Sequence, residues 1–133
     1  MKAVSSFQFP VSSTSAAGAR YEKLVAWQKA MELARLCYSL SEAFPSDERF
    51  GLTAQLRRAA TSIPSNIAEG QGRVTKGEFK QFLGNARGSL FEIETQMYLA
   101  SSMGFVTQAH RDQFFELSAE VARLLNGLIT SLR

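Results

Sequence analysis

Residues 57–73 read "RRAATSIPSNIAEGQGR". The stretch starts like a helix, meets Pro64, regains an apolar rhythm at Ile67 and ends in Gly70, Gly72 and Arg73. Two structures compete for it: one helix that passes through the proline, or a break followed by a glycine-rich loop. Leu52, Leu56, Ala59, Ile63 and Ile67 fall at steps of four, three, four and four, which places them on one helical face. The stripe crosses Pro64 without losing phase, whereas two independent helices would keep phase only by chance. A proline removes one backbone hydrogen bond and presses on the carbonyl four residues earlier, here Ala60. The spacing predicts a single helix bent near residues 60–64. The competing reading is a fresh start with Asn66 as N-cap and Glu69 three positions on, which resembles a capping box.

The flanking segments carry the same helical period. Leu24, Trp27, Met31, Ala34, Cys37, Leu40 and Phe44 mark a first helix that Pro45 ends. Thr75 and Glu78 have capping-box spacing and open the longest segment, where Phe79, Leu83, Ala86, Leu90, Ile93, Met97 and Ala100 recur. Gly104 followed by Phe105 suits a left-handed C-terminal turn with an apolar residue folding back. Phe114, Leu117, Val121, Leu124, Leu128 and Ser131 mark a fourth helix, widened by Leu125, Ile129 and Leu132. No alternating pattern or hairpin signal competes. Short links between long amphipathic helices imply an all-α, up-down-up-down antiparallel four-helix bundle over residues 21–133. Residues 1–20, too polar for a signal peptide, read as a flexible tail, an extended translation start or a vector-derived remnant.

With 133 residues, 45% of them hydrophobic, the chain can bury one sizeable core. No apolar run approaches the ~18 residues of a membrane span, so no membrane role is expected. The single cysteine, Cys37, allows no intrachain disulfide, which fits a cytoplasmic protein. The net charge of +3 is unevenly spread: Arg49, Arg57, Arg58, Arg73, Lys76, Lys80 and Arg87 face only Glu69 and Glu78 between residues 49 and 87. The segments on either side are net acidic. A local excess of this kind attracts polyanions or acidic protein surfaces.

Catalytic constellations are missing from the sequence. "GQGRVTKG" lacks the Gly-x4-Gly-Lys-[Ser/Thr] pattern of a phosphate loop and has no βαβ setting; it reads as a tight inter-helix turn needing positive φ. Cys37 lies on an apolar stripe, so a Cys37–His110 nucleophile pair is not expected. His110, Asp112 and Glu116 read as surface and not as a metal site, and Glu92 and Glu94 point to different sides of their helix. No enzyme activity, cofactor or metal is expected.

Binding surfaces are better supported. Arg58, Ser62, Asn66, Glu69 and Arg73 form a polar ridge beside the apolar stripe, and Arg58, Asn66 and Glu69 are candidates for an inter-helix or inter-subunit polar network. On the third helix Lys76, Lys80, Gly84, Arg87, Phe91 and Tyr98 share a side about a quarter turn from the core stripe. Arg57, Arg58, Arg73, Lys76, Lys80 and Arg87 are the candidate phosphate contacts. Gly84 and Gly88, each costing about 1 kcal/mol against alanine inside a helix, favour close approach by another backbone. With Phe91 and Tyr98 they are the candidate subunit interface.

"VAWQKAMELA", "FPSDERFGLTAQLRRAATSIPSNIAEGQGR" and "EFKQFLGNARGSLFEIETQ", with the leucine-rich last helix, resemble the four-helix-bundle family of 23S rRNA intervening-sequence proteins. That family is sometimes labelled S23 ribosomal protein. The resemblance covers about residues 21–133 and is most specific from Gln55 through Gly70. It implies a ring-like homopentamer and relatedness to the accessory protein of diversity-generating retroelements, a basic pentamer that binds nucleic acid and a reverse transcriptase. No catalytic residues come with it. The expectation is a non-enzymatic, RNA-associated scaffold, the alternative a protein–protein adaptor that binds no nucleic acid.

Overall fold

The structure, a computed structural model, describes residues 20–133; the tail reading for residues 1–19 lies outside the described residues. Among the described residues there are four α-helices and no strand. They are α1 (Val25–Ser41), α2 (Leu52–Gln71), α3 (Lys76–Ser102) and α4 (Gln108–Ser131). α1 and α3 each pack against both α2 and α4, and a single apolar core is shared by all four.

α2 runs unbroken through Pro64, so the fresh start at Asn66 does not occur. Asn66 instead donates its amide to the Ser62 carbonyl at 2.8 Å. The Thr61 hydroxyl donates to the carbonyls of Arg57 and Arg58 at 3.1 and 3.0 Å, and Ser62 donates to Ala59 at 2.8 Å. These hydroxyls bond back to carbonyls one turn earlier, at Arg57, Arg58 and Ala59 and not at Ala60, a form of back-bonding that accompanies helix bending. All five stripe residues of α2 are buried, and so is the proline ring.

The glycine-rich link corrects one expectation. The sole described residue with positive φ is Gly104, at 78°, while Gly72 has φ −81°. Gly70 is needed for space instead: a Cβ there would lie 2.8 Å from both Phe79 Cδ1 and Phe82 Cβ. Its missing side chain lets the end of α2 close against the start of α3. That start carries the expected capping box, with Glu78 N–H donating to Thr75 Oγ1 at 3.1 Å. At Gly104 the Phe105 N–H reaches back to the Ala100 carbonyl at 2.9 Å and Gly104 N–H to Ser101 at 3.1 Å, the double bond of a Schellman turn. Phe105 then packs on Phe44, ring centroids 5.7 Å apart.

The buried face of α1 is wider than expected, and that of α4 is shifted from the expected stripe. In α1, Ala30, Leu33 and Leu36 join Trp27, Ala34, Cys37 and Leu40 in the core, while Leu24 and Met31 are half-buried. Leu24 is extended and precedes the helix, whose entry is set by a 3-10 turn at Tyr21–Lys23 and by Gln28 Nε2 donating to the Glu22 carbonyl. In α4 the buried line runs Phe114, Ser118, Val121 and Leu125; Leu117, Leu124 and Leu128 flank it and Ser131 is exposed. Ser118 is tolerated in the core because its hydroxyl donates to Glu94 of α3. Thr107 caps α4 through its hydroxyl, which accepts from His110 N–H at 3.2 Å.

Candidate nucleic-acid and subunit interface

The candidate phosphate contacts differ in how they are held. Arg57 is committed to α1: its guanidinium lies 4.7 Å from the Tyr38 ring centroid, Nε donates to Ser41 Oγ at 2.9 Å and Nη2 to the Tyr38 carbonyl at 3.3 Å. Arg87 crosses to α4, donating to Asn126 Oδ1 at 3.0 Å. Arg73 stacks over Phe82, 4.6 Å from the centroid. Arg58 and Lys76 are exposed and Lys80 is half-buried. None of the six forms an ion pair among the described residues. Arg57 and Arg87 lie on opposite flanks of the α2–α3 pair, and the six do not make one patch. Arg73, Lys76 and Lys80 do cluster, around the α2–α3 link and the first turns of α3.

Arg58 and Glu69 are both exposed and lie eleven residues apart on one helix, about 16 Å at ~1.5 Å per residue. They do not meet within one chain. Asn66 is occupied by its own helix, as described above. The Ser62 hydroxyl is instead hydrogen-bonded to Ser89 of α3, which ties the α2 ridge to its neighbour.

The second surface lies on the side of α3 next to α4. A Cβ at Gly84 or Gly88 would meet nothing within 4 Å, so no neighbour within the chain requires either glycine. Phe91 is 55% exposed and Tyr98 56%. Tyr98 is anchored nonetheless: its ring centroid is 4.5 Å from that of Phe115, and Arg111 covers both rings at 5.7 and 5.5 Å. Leu99 and Met103, also about half exposed, extend the apolar surface around α3. The sequence reading missed Arg111 and Phe115 because their link to Tyr98 exists only through the α3–α4 packing.

Other candidates for chemistry are dispersed. Cys37 is fully buried, and burial pushes its thiol up to about 12. Among the described residues no group of three or more His, Cys, Asp or Glu is placed to hold a metal ion. Asp112 accepts from Gln108 Nε2 at 2.8 Å. No helix of the described residues is long and apolar enough to cross a membrane.

Four amphipathic helices around one core, with exposed cations at the α2–α3 link, define an all-α helical protein. The family model for "23S rRNA-intervening sequence protein" matches residues 22–127. The chain belongs to that family. Among solved structures it is similar to a crystal structure of a protein of unknown function from the S23 ribosomal protein family of Bacteroides thetaiotaomicron. That likeness has a TM-score of 0.72 at 24% identity and covers 80% of this chain and 96% of the other. Among curated proteins none matches.

Proposed function

We propose that the protein is a non-enzymatic scaffold for RNA, acting in the cytoplasm as a homo-oligomer of up-down-up-down antiparallel bundles with α2 bent at Pro64. The topology is supported by the contacts that pair Gly70 with Phe79 and Phe82, Ser62 with Ser89, and Arg87 with Asn126. In that arrangement the start of α1, the end of α2, the start of α3 and the end of α4 share one end of the molecule. The observation that carries the reading is that Arg73, Lys76 and Lys80, at the α2–α3 link and the first turns of α3, form no ion pair among the described residues. Lys23, at the start of α1, would join this end in the proposed arrangement, beside the carboxylates of Glu22, Glu69 and Glu78. Such an end attracts phosphates without reading bases. A five-fold ring, which the family resemblance implies, would multiply the charge to about +15 and add avidity.

A protein partner, such as the reverse transcriptase that the resemblance suggests, is the second reading. It is favoured by the exposed Phe91, Leu99 and Met103, since apolar patches of this kind mark contact surfaces. One experiment separates the two. Lys76→Glu with Lys80→Glu should lower affinity for a labelled single-stranded RNA at least tenfold, as measured by fluorescence anisotropy at low salt. Unchanged affinity, or no RNA binding by the unaltered protein, would favour the adaptor.

A further inference from the structure

The α2–α3 link brings an aromatic-backed arginine, a bare valine and two lysines to one place. Arg73 lies just past the end of α2, its N–H donating to the Gly70 carbonyl at 3.1 Å. Its guanidinium sits over the Phe82 ring, 4.6 Å from the centroid. Gly70 allows this: with no Cβ, the end of α2 closes on Phe79 and Phe82, which brings a ring of the next helix beneath the link. Arg73 is itself exposed, so the side of the guanidinium turned away from Phe82 faces solvent. Val74, the next residue, is 96% exposed, more than any other large hydrophobic side chain among the described residues. Lys76 and Lys80 follow on one side of α3, about 6 Å apart along its axis. The Glu78 carboxylate between them is turned onto Thr75, accepting from its N–H at 3.3 Å and its hydroxyl at 3.0 Å.

A guanidinium presents a planar, delocalised face on which an unpaired nucleobase can stack, and the ring behind it holds that face in place. An apolar side chain beside it adds contact area to the base, while lysines pair with phosphates. One exposed valine is ordinary surface; beside a backed guanidinium and two phosphate-binding lysines it matches what a single strand offers, a phosphate chain with its bases turned out. We propose that Arg73 on its Phe82 support, with Val74 beside it, is a stacking platform for one unpaired base, so that the link prefers single-stranded RNA to a phosphate chain without bases. This rests on the reading of the protein as an RNA scaffold and adds a contact that charge alone does not supply. Stacking tolerates any base, so the platform distinguishes bases from none and not one base from another.

Two labelled strands of equal length separate stacking from charge: a single-stranded RNA, and an abasic ribose-phosphate strand in which every base is replaced by hydrogen. In fluorescence anisotropy at low salt, the unaltered full chain should bind the base-bearing strand at least about fivefold more tightly. Arg73→Lys keeps the charge but loses the planar group. It should erase most of that preference by weakening binding of the base-bearing strand, with affinity for the abasic strand unchanged. Val74→Ser should reduce the preference in the same direction. Both positions are exposed, so helical circular dichroism should not change in either variant. Equal affinity of the unaltered protein for the two strands, or an Arg73→Lys loss shared equally by both, overturns the proposal and leaves the RNA reading standing. Binding of neither strand overturns both.

Discussion

Gly70 and Cys37 show how single residues set the limits of this fold. Alanine at Gly70 must push Phe79 and Phe82 away from the α2–α3 junction, where a Cβ would sit 2.8 Å from each. Overpacking of this kind costs about 1–3 kcal/mol, so Gly70→Ala should lower the Tm by several degrees in calorimetry. Alanine at Gly84 and Gly88 meets open space and gains helix propensity, up to about 1 kcal/mol each. The double variant should therefore unfold at higher temperature as a dissociated chain, while a reduced solution mass would place the glycines in a subunit contact. For Cys37, burial raises the thiol from its ordinary value of 9.0 to about 12. The folded protein then keeps a proton that the unfolded chain releases, so this contribution to stability is complete below pH 9 and is lost as pH rises toward 12. Alkylation at pH 8 should be slow in the native protein and fast in denaturant; fast native labelling would contradict the buried placement.

At the scale of the elements, α2 was the most legible because its stripe keeps a single phase through Pro64. α3 and its two ends were equally readable, since capping boxes and Gly-Phe stops are local chemistry. α1 and α4 were less so. Each carries more apolar residues than one face can hold, as with Ala30, Leu33 and Leu36 against Leu24 and Met31, and the choice of face belongs to the neighbouring helices. Ser118 reads as polar surface until Glu94 of α3 supplies its partner. The glycine-rich link was misread for a related reason: Gly70 answers to phenylalanines on the next helix, not to its own φ. The capping box gives a direct check. Thr75→Ala removes the acceptor for Glu78 N–H and should cost about 1 kcal/mol in denaturant unfolding, with most of that loss recovered by Thr75→Ser.

For the whole molecule, the informative quantity is where charge gathers once the helices are assembled. The sequence shows a basic middle segment, and the six cations named from it separate in space: Arg57 is bound to α1 and Arg87 to α4, while Arg73, Lys76 and Lys80 stay together. In the proposed up-down arrangement Lys23, at the start of α1, would be added to them from a distant part of the chain, which no local pattern announces. A net charge of +3 is small for one bundle, so the scaffold reading depends on this concentration at one end and on its repetition in an oligomer. The salt dependence of RNA binding by the unaltered protein tests it most directly. If several of these cations replace counterions on a single strand, log affinity should fall linearly with log salt at a slope of about −2 or steeper. A slope near zero, or no measurable binding at the lowest salt, would contradict the account.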